Sequence, residues 1–392
     1  MALQPLQGIT VVELSHTVMG PACGVTLADL GADVIRIEPA PRGDSTRWLR
    51  GFGTGFFSYF NRNKRSVLID LKSEGGLAVA RDLLGRADVL LENYGPGVMD
   101  RLGLGWNAVH ALNPRLIYCE MKGFLPGPYE KRGAMDELVQ FMSGLAYMTG
   151  PPGRPMRAGA SVVDIMGGMM GAVGVLAALQ QRHRTGVGHK VTSTLFETAA
   201  YLVAQHMAGE AATGTAPPPM SARSASWGIY ETFATADAQS VFIGIISDNH
   251  WAIFCRTFGL PDLLADPRLA NNAGRVQHRD TLRPFVTQIA AALTLAELCR
   301  ILDAAGLPFA PVRTPSDLFD DPQMNVPGRM LEMTLMNGNQ TKLPPLPLAL
   351  DGETMGLRRQ PAEAGQHTDE ILNALGYDAA RQAALRSTGA VA

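Results

Sequence analysis

The sequence predicts an α/β protein: a Rossmann-like, doubly wound parallel sheet in a large domain, with a smaller α+β domain. Three observations predict it. Between Ile9 and Cys119, short β-branched runs alternate with helical stretches, the pattern of βαβ units with right-handed crossovers. Glycines stand where those helices should stop. Past Gly209 the alternation gives way to an Ala- and Pro-rich passage, then to a hairpin followed by helices.

Taken in order, residues 9–14 read as the first strand. Residues 21–30 have helical spacing and stop at Gly31. Residues 32–37 and 66–70 are the second and third strands. Ser73 caps a helix that runs to about Leu84 and ends at Gly85. Residues 87–92 and 115–119 are the fourth and fifth strands. Residues 165–179 are the most apolar stretch; a membrane span needs about 20 such residues, so this reads as a buried helix. Residues 211–220 are a linker by composition. A hairpin is expected over 228–233 and 240–246, helices over 250–258, 279–292 and 295–305, an extended stretch at 344–348, and a final helix over 367–375. The expected domains are 1–204, completed by 330–392; a linker, 205–226; and a small domain with its return linker, 227–329.

Lys plus Arg number 34 against 36 Asp plus Glu, a formal charge of −2. Without a basic excess to neutralise phosphates, nucleic acid is not an expected partner. Charged residues make up 18%, against about 25% in an average chain. With 46% hydrophobic residues, the chain is too apolar for disorder. It also has little charge to cover a monomer's surface, which points to an oligomer. Cysteines 23, 119, 255 and 299 share no metal-type spacing and read as free thiols of a reducing compartment. The first residues carry neither a basic region nor an apolar core, so no export signal is expected. The expected location is the cytoplasm, without a membrane.

A Rossmann-like sheet invites a dinucleotide, yet no G-x-G-x-x-G follows the first strand and no G-x-x-x-x-G-K-S/T occurs. G-x-S-x-G, H-E-x-x-H and C-x-x-C are also absent, so classical hydrolase and metal chemistry fall away and no metal ligands are expected. Asp164 is the most informative residue. It precedes a long apolar helix containing Gly167, Gly168, Gly171 and Gly174, glycines that let another backbone approach closely. Asp164 is either the cap of that helix or a carboxylate nucleophile held ionised by the helix amides and dipole. Asn93, Tyr94 and Gly95 follow the fourth strand, at the carboxyl edge where parallel sheets bind ligands; Asn-Tyr-Gly-Pro also makes an ordinary turn. Lys72 and Arg101 face nucleotide phosphates or solvent. The basic run 61–65 is a solvated loop or a phosphate site, and His16 lines either a site or a loop.

Together these segments resemble the class III CoA-transferases, the CaiB/BaiF, formyl-CoA transferase-like family, with α-methylacyl-CoA racemases as cousins. The matching pieces are Leu6-Gln-Gly-Ile, Gly20-Pro, Leu30-Gly-Ala-Asp-Val-Ile-Arg-Ile-Glu38, Gly43-Asp44, Asn63-Lys-Arg-Ser66, Glu92-Asn-Tyr-Gly-Pro-Gly97, Asn113-Pro-Arg-Leu-Ile117, Arg182-His-Arg-Thr-Gly-Val-Gly188, Pro308-Phe-Ala-Pro-Val312 and Gly365-Gln-His-Thr368. Each is short; their shared order makes the resemblance specific.

The resemblance implies that Asp164 is the nucleophile. It implies CoA contacts at Val18, Met19, Asp70, Lys72, Asn93, Tyr94, Gly95 and Arg101, with Met135 and Asp136 near the thioester. Coenzyme A enters as substrate, with no permanently bound cofactor, and a free carboxylic acid is the second substrate. The implied chemistry passes CoA through aspartyl anhydride and aspartyl-CoA thioester intermediates. The implied assembly is a homodimer of interlocked ring-shaped subunits. The chain departs from the formyl-CoA:oxalate members at Val18, where they carry glutamine, and at residues 221–227, where they carry a glycine run. Oxalate is therefore not the expected acceptor. Arg47, Arg154, Arg157 and Arg223 are candidates to clamp the second carboxylate of a dicarboxylate, with His16 nearby and succinyl-CoA as donor. The alternatives are a racemase or epimerase and a non-catalytic CoA-binding protein. The racemase pairs its aspartate with a histidine in a Gly-His-Asp context; here Gly133-Ala-Met-Asp136 puts Met135 there, and a thioether cannot move a proton.

Overall fold

The computed structural model describes residues 3–223 and 226–392. Residues 224 and 225, inside the expected linker and the 221–227 stretch, lie outside the described residues. The chain divides into two compact units, Met1–Ser221 with Pro322–Ala392, and Ala222–Asp321.

The first unit runs β1 (Thr10–Leu14), α1 (Met19–Asp29), β2 (Asp33–Pro39), α2 (Phe56–Phe60), β3 (Lys64–Ile69), α3 (Glu74–Leu84), β4 (Val89–Glu92), α4 (Val98–Arg101), α5 (Trp106–Leu112), β5 (Ile117–Lys122), α6 (Asp136–Met142), α7 (Leu145–Thr149), α8 (Val162–Thr185), β6 (Lys190–Thr194) and α9 (Leu195–Thr213). The sheet order is β3-β2-β1-β4-β5-β6, and every pairing is parallel. β1 is buried on both faces. Val11 joins one core with Cys23, Val89, Cys119 and Val175. Val12 and Leu14 join the other with Val79, Leu90, Tyr118 and Leu372. That two-sided cover is why the strands read as continuous apolar runs rather than alternating ones.

Three expectations need correction. A sixth strand, β6, was not among those expected: its sequence Lys-Val-Thr-Ser-Thr at the sheet edge carries no apolar run. The apolar helix is longer than expected, 24 residues. By length and composition it is the one helix among the described residues able to cross a membrane. Its glycines pack it onto α1: a Cβ at Gly168 would sit 2.5 Å from the Met19 carbonyl oxygen. Residues 205–213, expected as linker, continue α9. Alanines favour the helix there, and it stops at Gly214, φ +69°.

The second unit holds β7 (Ile229–Ala234), β8 (Ser240–Ile245), α10 (Asp248–Thr257), α11 (Pro261–Ala265), α12 (Asn272–Gln277), α13 (Arg279–Ala291), α14 (Leu295–Ala304) and β9 (Phe309–Pro311). Its antiparallel sheet, β7-β8-β9, covers a core of Phe233, Ile243, Trp251, Phe254, Leu282 and Leu298. The chain then returns to the first unit. There β10 (Leu331–Thr334) and β11 (Gln340–Leu343) pair, as do β12 (Ala349–Leu350) and β13 (Glu353–Thr354), before α15 (Thr368–Leu375) and α16 (Ala379–Ser387). Ile371 and Leu372 of α15 complete the core beside β3.

Candidate active site

Strand order reverses between β1 and β4, the crevice where open α/β sheets receive ligands. A cavity of about 530 Å³ opens there, with lining residues from the β1 exit, the β4 exit, the turn before α6 and the start of α8. His16 and Asn93 tie the two exits together. The Asn93 Oδ1 accepts from the His16 amide at 3.0 Å and lies 3.0 Å from its Nδ1, while Asn93 Nδ2 donates to the His16 carbonyl at 2.9 Å. Thr17 sits at φ +63°, a conformation a β-branched residue rarely adopts; its amide donates to the Thr46 hydroxyl at 3.1 Å. Lys122 is held at 2.5 Å from Glu92 and donates to the Tyr94 carbonyl at 2.8 Å.

Asp164 lines this cavity, but it is not the helix cap. Ser161 is the capping position, and Asp164 is the third residue of α8. The capping carboxylate comes from elsewhere. Asp136 is buried, and its Oδ2 accepts the amides of Val163 and Asp164 at 2.9 and 3.1 Å. Its Oδ1 accepts Gln140 Nε2 at 2.6 Å and lies 3.3 Å from Arg157 Nη2. Gln140 in turn accepts the Ala158 amide at 2.8 Å. The helix amides expected to hold Asp164 ionised are thus taken by Asp136. Among the described residues the Asp164 carboxylate has no hydrogen-bond donor of its own. Burial pushes its pKa up to about 7, the negative charge of Asp136 adds to that, and Arg157 opposes it.

His16, Val18, Met19, Asn93, Tyr94, Gly95, Met135 and Asp136 share the cavity with Asp164. Met135 is largely exposed there, and Val18 and Met19 are buried in its floor. Asp70, Lys72 and Arg101 do not line it. Asp70 turns back on the Lys72 amide at 3.0 Å, beyond the end of β3. Of the four arginines considered for a second carboxylate, Arg157 alone lines the cavity. Arg47 must be withdrawn. Its Nε and Nη2 grip Glu38 at 2.7 and 2.6 Å, its Nη1 donates to the Ala362 carbonyl at 2.9 Å, and its guanidinium lies over the Phe57 ring at 3.9 Å. Each of its guanidinium nitrogens is engaged within the protein, and the side chain is buried. Arg223 belongs to the second unit and lies over Tyr230 at 5.8 Å. The basic run 61–65 is neither solvated nor open to a phosphate. Arg62 pairs with Asp29 at 2.6 Å, Lys64 with Glu13 at 2.8 Å and Arg65 with Asp33.

Phe52, Phe56, Glu130 and Arg132, which are not among the residues the sequence points to, also line the cavity. The aromatic pair Phe52 and Phe56, edge to face at 5.6 Å, was detectable as an i, i+4 spacing. Nothing local marks Glu130 or Arg132. Among the described residues no three metal-ligating side chains cluster. The site thus offers a donor-free carboxylate with raised proton affinity, facing a cavity with apolar walls at the carboxyl edge of a Rossmann-like sheet. Such a group can attack an electrophilic carbon.

The sequence profile described as CoA-transferase family III matches residues 6–368. An acyl-CoA transferase of Fusarium pseudograminearum is 34% identical, over 98% of this chain and 88% of the relative. A succinyl-CoA:glutarate CoA-transferase of Mus musculus is 31% identical, over 96% of this chain and 88% of the relative. The crystal structure of a CaiB/BaiF family protein from Brucella suis superposes with a TM-score of 0.84 at 32% identity, covering 95% of this chain and 99% of that one.

Proposed function

The chain belongs to CoA-transferase family III, and from that premise we propose that it is a cytoplasmic acyl-CoA:carboxylate CoA-transferase with Asp164 as nucleophile. The observation that carries the reading is the Asp164 carboxylate, free of any donor among the described residues, in the cavity at the sheet's switch point. In the proposed sequence an Asp164 oxygen attacks the acyl-CoA carbonyl carbon. The C–S bond breaks, leaving a mixed anhydride and CoA thiolate. The thiolate attacks the aspartyl carbonyl carbon, releasing the donor acid and forming an aspartyl-CoA thioester. The acceptor carboxylate displaces thiolate, and thiolate then captures the acceptor acyl group, freeing Asp164. No net proton is taken up, so the sequence of steps calls for no second base. The exit loops carrying Val18, Met19, Asn93, Tyr94 and Gly95 would hold CoA, whose remote nucleotide supplies binding energy for positioning.

The finer proposal is a dicarboxylate acceptor with succinyl-CoA as donor, in line with the name of the mouse relative. Arg157 is the arginine proposed to meet the distal carboxylate. Losing a charge-assisted hydrogen bond costs about 1.5–3 kcal/mol, roughly a 10–150-fold change. Glutarate should outperform pentanoate by that factor in kcat/KM; equal values would refute a dicarboxylate site. Labelled acid entering the CoA pool separates transfer from racemisation. A homodimer is part of the same proposal. The apolar row Met169, Met170, Val173 and Leu176 stands exposed on α8, and sedimentation should give twice the chain mass.

A further inference from the structure

We propose that Asp136 is a positioning residue: clamped by Gln140, its carboxylate takes the two amides at the start of α8 and so presents Asp164 to the cavity without a donor. The inference rests on the reading of Asp164 as nucleophile. It follows from an arrangement that a plain helix start would not need. Ser161 makes no side-chain cap, and the cap comes instead from the first residue of α6. A carboxylate that received those amides itself would be a weak base, because hydrogen bonds to the charged form stabilise it. Here Asp136 receives them, and its negative charge stands beside Asp164.

The consequence is a nucleophile that titrates near neutral pH, at about 7. Once ionised it is a stronger base than an ordinary carboxylate. Burial raises the proton affinity most, Asp136, on α6, adds to it, and Arg157, on the segment leading into α8, lowers it. The other titratable side chains in the cavity wall are His16, Tyr94, Lys122, Glu130, Arg132 and Glu137. Lys122 is committed to Glu92. The rest belong to the β1 and β4 exits and to the turn around α6.

The test is the pH dependence of Asp164 acylation by acyl-CoA, read as hydroxylamine-trapped product. The parent should lose activity as pH falls through about 7. Asp136→Asn should move that limb down by about one unit, because a like charge is removed. Arg157→Met should move it up. Asp136→Glu keeps the charge and should leave the limb in place while slowing the reaction at every pH. His16→Gln should also leave it in place, which assigns the limb to Asp164 rather than to the imidazole. If Asp136 only supported the fold, Asp136→Asn would slow the reaction uniformly with the limb unmoved, and that result overturns the proposal. Should Asp136→Asn fail to fold, Arg157→Met decides: an unmoved limb there overturns it equally. If Asp164→Asn itself stays active, the nucleophile reading has failed, and that outcome is distinct from either result.

Discussion

Two charged regions of the first unit lie on either side of β1 and differ in one respect. On the β2 and β3 side, each buried ion is paired with one of opposite charge. Glu13 Oε1 accepts from Ser15 at 2.7 Å and from Arg36 at 2.6 Å, and Oε2 forms an ion pair with Lys64 at 2.8 Å. Arg36 also reaches Asp44, and Glu38 gathers Arg47, Ser66 and the Asp44 amide. Burial still tells there: Lys64 is drawn down to about 8 against the pull of Glu13. On the β4 side, both oxygens of Asp136 accept hydrogen bonds, and Asp164 has no donor among the described residues. A buried charge locked in an ion pair holds elements together and is not presented to a ligand. A carboxylate deprived of partners keeps its basicity and its reach.

The comparison can be broken most decisively at Asp164. Asp164→Asn removes the anionic oxygen, and transfer should fall by several orders of magnitude with the fold retained, as measured by label exchange and circular dichroism. Near wild-type transfer would erase the distinction between the two regions. A smaller effect is expected across β1. Glu13→Gln leaves Arg36 and Lys64 facing a neutral amide, and breaking a buried pair costs about 3–5 kcal/mol. Urea unfolding should register that loss, while kcat of the folded enzyme stays near the parent value; lost catalysis without lost stability would reverse the assignment. The smallest effect is a gain. Because the folded pKa of Asp164 is raised to about 7 from 3.8, its contribution to stability is present below the lower value and lost as pH rises through the higher. Asp164→Asn should therefore be more stable than the parent at pH 8, and the difference should shrink toward pH 5. An equal gap at both pH values would mean that Asp164 titrates as an exposed carboxylate.

Much of the scaffold was legible because its signals are local. Ser73 does cap α3, its hydroxyl accepting the Gly76 amide at 3.0 Å, and Gly85 does end it. The five expected strands lie in the parallel sheet, each within a few residues of its expected bounds. Asp164 stood out because an acid before a Gly-rich apolar run is visible in one window. What escaped were pairings between distant windows. Arg47 looked available for a substrate because nothing near it in sequence shows the Ala362 carbonyl. The run 61–65 looked solvated because Asp29 and Glu13 lie on other elements.

By itself, then, the sequence determined the alternation of strands and helices, the points where helices stop and which acid stands at the Gly-rich helix. Periodicity, caps and turns are properties of neighbouring residues, and they persist whatever the chain does elsewhere. Only the tertiary structure decided which charges are satisfied. It put Asp136, from another helix, onto the amides of α8, bound Arg47 to Glu38, and left Asp164 without a donor among the described residues, because hydrogen-bond partners are allotted by distance in space and not by distance along the chain.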